Sequence, residues 1–316
     1  MTCLLPTIER MDLLVKVFHR IERFPTVSIN PLENQKMRLL FECYGQLIHK
    51  VIAGWDDSEV KYVFKTMQTI AHMEQRIQTI AKSPLGARQP IEYFVRCFYR
   101  YVCVDPSQKN NKNNTINESL FWLNRILKPH SLAVRAKLLL IMFGPLISVS
   151  PVHTTVPYIG WWDLTDTFFI NAGLEELGFA LYMLFRQTKT AEDKNSISLE
   201  TTLSFIHLIT TFAIILDVIL LMEEMIKIPQ NWLNENIASL LFFAGDDITH
   251  QYFTSKMSSE NYAEVAQKLV YLTLIEHKLT RSTKLVYKLI EKLCSSEHKH
   301  KLMNELPIAF CEAVRL

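Results

Sequence analysis

Two positions in this sequence have the types and spacing of metal ligands on a helix. Asp247 and His250 are three residues apart and would share one helix face. A helical di-metal site needs such a motif twice, together with further carboxylates. The pair occurs here once, so we interpret it as an exposed helix start whose histidine finds its hydrogen-bond partners locally. No metal is expected at this pair.

A short run of imidazole and ammonium groups lies near the end of the sequence. His298 and His300 alternate with Lys299 and Lys301. The two imidazoles can capture a metal, whereas a solvated helix start explains the same run without a ligand. We take the solvated helix start as the prediction.

Catalytic motifs are missing from the sequence. It has no G-x-x-x-x-G-K-[ST], no G-x-G-x-x-G, no G-x-S-x-G and no H-E-x-x-H. A nucleophilic cysteine needs a nearby base or cation that lowers its pKa. Cys43 and Cys97 lie in apolar stretches and are predicted to be core residues. The sequence therefore predicts a protein without a cofactor and without a catalytic centre.

The clearest candidate for partner binding is a series of cations spaced every three or four residues. Its members are Lys278, Arg281, Lys284, Lys288 and Lys292. At helical spacing these residues share one face. The opposite, core-facing side is marked by Leu285, Val286, Leu289 and Leu293. Such a series can dock an acidic protein surface or phosphates, or it can simply be a solvated helix face.

The elements that carry these residues are helices. Leu120, Leu123 and Leu127 recur at helical spacing after a predicted N-cap at Asn117, and Pro129 ends that helix. The next helix, from about 131 to 145, is apolar on most sides and is predicted to lie at the centre of a domain.

Similar patterns extend over the rest of the sequence, and no long alternation of polar and apolar residues indicates a strand. Further helices are predicted at 6–23, 39–51, 56–80, 91–104, 199–226, 231–244, 247–256, 260–277, 281–293 and 298–313. The fold class is therefore all-α. Helix pairs of irregular length are compatible with HEAT-like stacking, although no repeat of fixed period is visible.

Length and composition predict one globular domain over residues 1–316, with exposed polar linkers near 105–117 and 187–198. The hydrophobic fraction is 49% and the 316 residues carry a net charge of +2. The hydrophobic fraction supports a large core, and the small net charge argues against nucleic acid as a partner. The six cysteines do not pair as C-x-x-C, and no secretory signal is visible. The nucleus, the cytoplasm or both are the expected location.

Residues 203–222 have the length of a membrane span. They include His207 and Asp217, and a charge near a helix centre costs about 2.5 to 3.5 kcal/mol on insertion scales. We therefore predict a buried core helix here, and no membrane partner.

Several ordered strings resemble the F-box only protein 47 family. They are LLPTIER at 4–10, CYGQ at 43–46, AGWDD at 53–57, FWLNRILKP at 121–129, DVILLMEEM at 217–225 and IPQNWLNENIASLL at 228–241. The resemblance covers nearly the whole sequence. It implies a helical region that holds the target of a cullin-type ubiquitin ligase. In the family, this region follows an N-terminal F-box that docks onto the linker subunit of the ligase. The family is also associated with meiosis.

The resemblance does not extend to an F-box. Leu5 and Pro6 imitate the opening of one, but Glu9 and Leu13 are misplaced for it, and these residues already match a later segment of the family. No ligase-docking residue can be carried over, so the linker subunit is an expected partner only if an F-box exists upstream. The alternative is a helical scaffold that binds protein partners and has no ligase role.

Overall fold

The fold is built from α-helices in this computed structural model, which describes residues 7–22, 31–105, 115–148, 155–157, 173–186, 218–228, 232–294 and 299–315. The first helices are α1 (Thr7–Glu22), α2 (Pro31–Val51), α3 (Asp57–Ile70), α4 (Met73–Lys82), α5 (Gln89–Cys97), α6 (Thr115–Leu127) and α7 (Leu132–Phe143). They are followed by α8 (173–186) and α9 (218–227). The last are α10 (Asn234–Ala244), α11 (Asp246–Ser258), α12 (Tyr262–Thr280), α13 (Lys284–Cys294) and α14 (Lys299–Arg315). The all-α prediction is confirmed.

Two features depart from regular α-helix. A π-helical segment, Phe98–Val104, continues α5. Two three-residue strands, β1 (Leu146–Ser148) and β2 (Thr155–Pro157), pair in a small sheet. No strand is predicted from the sequence, because three residues are too few for the alternation of polar and apolar side chains that would reveal one.

The contacts of the chain fall into two compact units. Unit 1 contains Met1–Met142 and Ser148–Ile159, and unit 2 contains Phe143–Ile147 and Gly160–Leu316. A single domain over 1–316 stays a prediction. Of the expected linker at 105–117, residues 106–114 lie outside the described part of the chain. Residues 115–117 belong to α6, and the second linker lies outside the described residues.

Helices α6 and α7 belong to the core of unit 1, as their apolar patterns predict. The buried side chains of α6 are Leu120, Trp122, Leu123, Ile126 and Leu127, and every side chain from Leu138 to Met142 in α7 is buried. The start of α6 differs from the prediction. The helix begins at Thr115, so Asn117 lies inside its first turn rather than at the N-cap.

Helix α3 begins at the predicted capping box. The side chain of Asp56 accepts hydrogen bonds from the N–H groups of Ser58 and Glu59, and Glu59 accepts one from the N–H of Asp56. The continuous helix predicted to Ile80 is wrong, because the chain turns at His72. This residue adopts a left-handed conformation with φ 48°, and α4 starts immediately after it.

Two cations of unit 1, one buried and one half-buried, donate to carbonyls at the ends of two helices. The Arg96 guanidinium donates to the Ile141 carbonyl at 2.9 Å, near the end of α7. Lys137 donates from α7 to the carbonyls of Ala81 and Ser83, at 2.9 Å each, where α4 ends. These carbonyls have no partner within their own helix, and they are the negative end of its dipole.

Unit 2 stacks alternate helices in two layers. Helix α12 packs against both α10 and α14, while α11 packs against α13. Near the starts of α12 and α14, Lys301 Nζ lies 3.1 Å from Glu260 Oε1. Further along these two helices, burial raises the pKa of Tyr271, and the carboxylates of Glu235 and Glu312 raise it further. Helices α12 and α14 therefore run parallel, and the expected stacking is confirmed.

Residues 203–217 of the predicted core helix lie outside the described residues. Val218 and Met222, from its end, are buried in α9. Within the part of the chain that the structure describes, no helix combines the length and the apolar character that a membrane crossing needs.

Candidate protein-interaction surface

The five predicted cations do not share one helix. Lys278 lies in the last turn of α12, and Arg281 follows that helix in a left-handed conformation with φ 57°. Lys284, Lys288 and Lys292 alone follow one another at four-residue spacing, on α13. We call these three lysines the basic stripe. The prediction of a single face fails because the chain reverses between 281 and 283.

Helix α13 divides its residues between core and solvent as predicted. Val286, Leu289 and Leu293 are buried, whereas all three lysines of the basic stripe are exposed. Lys278 and Arg281 are exposed as well, beside the turn that leads into α13. The apolar residues thus hold the helix against unit 2 and leave its lysines on the surface.

A buried acid fixes the start of α13. Glu276 is 3% exposed and belongs to α12. Its carboxylate accepts hydrogen bonds from the N–H groups of Leu285 at 2.8 Å and Val286 at 3.0 Å. These groups have no acceptor within α13, and a negative charge suits the positive end of its dipole. Glu276 therefore positions the helix that carries the basic stripe.

The charge around the basic stripe is strongly unbalanced. Glu291 is the one acidic residue between 277 and 294, a segment that also holds Lys278 and Arg281. Tyr287 lies next to the stripe and is 71% exposed. Consecutive lysines are about 6 Å apart along the helix axis. The surface therefore offers evenly spaced ammonium groups beside one exposed aromatic ring.

Lys292 lies at the end of the stripe that approaches α11. Burial lowers the pKa of His250, the Lys292 ammonium lowers it further, and the Asp247 carboxylate opposes them. His250 is half-buried and Asp247 is exposed. Among the described residues no three histidine, cysteine or acidic side chains are grouped to hold a metal ion. His298 lies outside the described residues, and His300 is exposed in the first turn of α14.

The cysteines divide into two groups. Cys97 and Cys103 are buried. Burial raises the pKa of the Cys97 thiol to about 12 and also raises that of Cys103, so both are inert thiols. Cys43 is exposed, so its predicted core position is wrong. It occupies the solvent side of α2, between the buried Phe41 and the half-buried Tyr44.

Sequence reasoning missed Glu276 and Tyr287. Glu276 directly follows the apolar residues Leu274 and Ile275 and carries no local capping signal, because the groups that it binds are nine and ten residues away. Tyr287 could have been found, since its spacing puts it beside Lys284 and Lys288 rather than beside Val286.

Comparison with known proteins explains the architecture. The family model described as "FBXO47, ARM repeats" matches residues 69–196 and 215–303, more than half of the sequence. The chain belongs to the FBXO47 family. Armadillo repeats are stacked helices, which agrees with the layers of unit 2.

Two curated relatives of the FBXO47 family match nearly the whole chain. Human F-box only protein 47 is 29% identical over 297 residues, and the mouse protein is 28% identical over 298. Each alignment covers 93% of this chain and 57% of the relative. The chain thus spans little more than half the length of the curated relatives it matches. No solved structure matches it.

Proposed function

We propose that this chain is the substrate-binding region of an F-box adaptor of a cullin-type ubiquitin ligase. The observation that carries the proposal is the match of the family model to 69–196 and 215–303, where the described secondary-structure elements are helices apart from the short β1–β2 pair. Stacked helices build extended surfaces that hold protein partners. An adaptor of this kind holds its target and leaves the chemistry to the ligase, so no catalytic residue or cofactor is required.

The basic stripe is the surface on which we propose that an acidic target segment docks. Its lysines are exposed on a helix that is anchored by Val286, Leu289 and the Glu276 cap. Single surface ion pairs contribute at most about 1 kcal/mol. Several evenly spaced cations nevertheless steer and align an acidic segment. Nucleic acid is not the expected partner, because the net charge of +2 provides little long-range attraction.

A binding assay tests the stripe. Lys284, Lys288 and Lys292 are changed together to glutamine, and binding of a labelled peptide of ten glutamates is measured at low and physiological salt. We expect the variant to bind several-fold more weakly and with a smaller salt dependence. The matched control changes Lys61, Lys65 and Lys82, which are exposed in unit 1, to glutamine. Equal weakening in the control would attribute the binding to net charge and contradict the proposed surface.

The ligase role is tested separately. The purified chain and a version extended from the native transcript are each mixed with the F-box-binding linker subunit of the ligase. Binding by the extended version supports the adaptor. Absence of binding by both favours the alternative, a helical scaffold that belongs to the family but has no ubiquitin-ligase role.

The family also supports a role in meiosis, in the nucleus, the cytoplasm or both. This part of the proposal rests on the resemblance alone. Immunostaining of meiotic and somatic cells with an antibody against the chain tests it, since signal confined to somatic cells would contradict it.

A further inference from the structure

The turn between α4 and α5 contains a serine that directly precedes a proline. Ser83 caps the C-terminal end of α4 and is half-buried, whereas Pro84 is exposed. A residue before proline is disfavoured in helical geometry, and the backbone of Ser83 is extended, with φ −112° and ψ 154°. Proline-directed serine kinases bind their substrates as extended segments and recognise the proline ring after the serine. The turn therefore combines a serine, an extended backbone and an exposed proline ring.

The Ser83 hydroxyl has a structural role at the end of α4. It donates a hydrogen bond at 2.7 Å to the carbonyl of Thr79, which is one of the terminal carbonyls of that helix. A phosphoryl group on the same oxygen removes this donor and adds about two negative charges. Those charges would lie at the negative end of the helix dipole. Phosphorylation of Ser83 is therefore expected to loosen the last turn of α4.

A cation that would respond to such a phosphate already contacts the turn. The Lys137 ammonium of α7 donates to the carbonyls of Ala81 and Ser83, at 2.9 Å each. It therefore binds the same residue that carries the hydroxyl. An ion pair between an ammonium and a phosphate is stronger than a hydrogen bond from that ammonium to an uncharged carbonyl. A phosphate on Ser83 would therefore compete with these carbonyls for Lys137.

The second half of the turn is held by different groups. Glu92 is completely buried, and its carboxylate accepts hydrogen bonds from the N–H groups of Gly86 at 3.0 Å and Arg88 at 3.3 Å. Neither of these bonds involves Ser83 or Lys137. A change at Ser83 is therefore expected to affect the end of α4 and to leave the start of α5 in place.

We propose that Ser83 is a phosphorylation site for a proline-directed kinase, and that the phosphate draws the Lys137 ammonium away from the end of α4. In the reaction the Ser83 oxygen bonds to the terminal phosphorus of ATP, ADP leaves, and the hydroxyl proton passes to a base of the kinase. The modified chain keeps α5 in place and has a loosened end of α4. The proposal concerns unit 1 and does not depend on the basic stripe or on the ligase role.

Phosphorylation is tested on the whole chain with a purified mitogen-activated protein kinase and ATP. Mass spectrometry separates Ser83 from Ser150, the other serine that precedes a proline. We expect stoichiometric phosphate on Ser83 and a roughly tenfold lower rate after Pro84→Ala, because the kinase then has no ring to recognise. A peptide of residues 77–90 is the control. The proposal is overturned if Ser83 of the chain stays unmodified, whether or not the peptide is modified, or if Pro84→Ala leaves the rate unchanged.

Amide hydrogen exchange tests the displacement of Lys137. Phosphorylation is expected to speed exchange roughly tenfold at residues 79–83 and to leave exchange at residues 91–97 unaltered. Unchanged exchange at 79–83 would contradict the displacement. Lys137→Gln should speed exchange there before phosphorylation, and a full further tenfold rise after it would show that Lys137 has no part in the effect. The matched control is Lys82→Gln, which removes an exposed lysine beside Ser83 and should behave like the natural chain.

Discussion

The two units use their cations in opposite ways. In unit 1, Arg96 is almost fully buried and Lys137 is half-buried, and both donate to carbonyls where a helix ends. In unit 2, the three lysines of the basic stripe are exposed along α13, from its first residue, Lys284, to its last turn, which contains Lys292. The same residue type is thus a structural element in one unit and a surface feature in the other.

The difference teaches that contact with an unpaired backbone group at a helix terminus makes a charge part of the fold. The terminus offers backbone groups without partners, so a charged side chain that reaches it is retained in the fold. Glu276 illustrates the same rule with opposite sign, because it binds N–H groups at the start of α13. A charge on the exposed side of a helix, such as that of Lys288, faces the solvent and is accessible to another protein.

The largest effect is expected when a buried cation of unit 1 is removed. Changing Arg96 to alanine leaves a cavity and deprives the Ile141 carbonyl of its donor, which should lower the free energy of unfolding by roughly 3 kcal/mol. Urea unfolding followed by circular dichroism measures this. Lys288→Ala is the matched control on α13. If the two substitutions lowered the free energy of unfolding by similar amounts, the proposed difference between the cations of the two units would be contradicted.

A smaller loss is expected at the cap of α13. Changing Glu276 to glutamine keeps its shape but removes the charge that faces two N–H groups, which should cost about 1 kcal/mol. The control is Glu291→Gln, because Glu291 is an exposed acid on α13 itself. Urea midpoints that do not differ between the two variants would show that Glu276 does not hold α13 in place.

The next effect depends on pH and is expected to be smaller still. Burial lowers the pKa of His49, while the Cys103 and Val102 carbonyls oppose this shift. Because the unfolded chain binds the proton more readily, the stability contributed by neutral His49 is complete above pH 6.5 and is lost as the pH falls below it. The thermal midpoint of the natural chain should therefore drop more between pH 7.5 and 5.5 than that of a His49→Gln variant. An equal drop would attribute the acid sensitivity to other groups.

Much of the fold could be predicted from local signals. The capping box of Asp56 and Glu59 marks the start of α3, and the spacing of Leu120, Leu123 and Leu127 identifies the buried face of α6. Both signals lie within a few residues of the structure that they determine. The break at His72 was missed because the apolar pattern continues through it, and only the left-handed backbone of that residue ends α3.

The candidate surface could be predicted less completely. Spacing identified the exposed lysines of α13 but also joined Lys278 and Arg281 to the same face, since the turn between the two helices contains neither glycine nor proline. The Glu276 cap depends on a contact between two helices, and the roles of Arg96 and Lys137 depend on contacts across more than forty residues. Such contacts are decided by packing, which a local pattern does not contain.

The smallest effect on stability is expected at the basic stripe itself. Changing Lys284, Lys288 and Lys292 together to glutamine removes repulsion between like charges four residues apart. It also removes one cation from the first residue of α13 and one from its last turn, and these two have opposite effects on the helix dipole. The free energy of unfolding should change by less than about 0.5 kcal/mol, or rise slightly. Urea unfolding measures this beside the Arg96→Ala variant. A loss of stability comparable to that of Glu276→Gln would mean that the lysines support α13, and the stripe would then be a structural element like the cations of unit 1. A stable variant that binds the acidic peptide more weakly would confine the role of these lysines to contact with a partner.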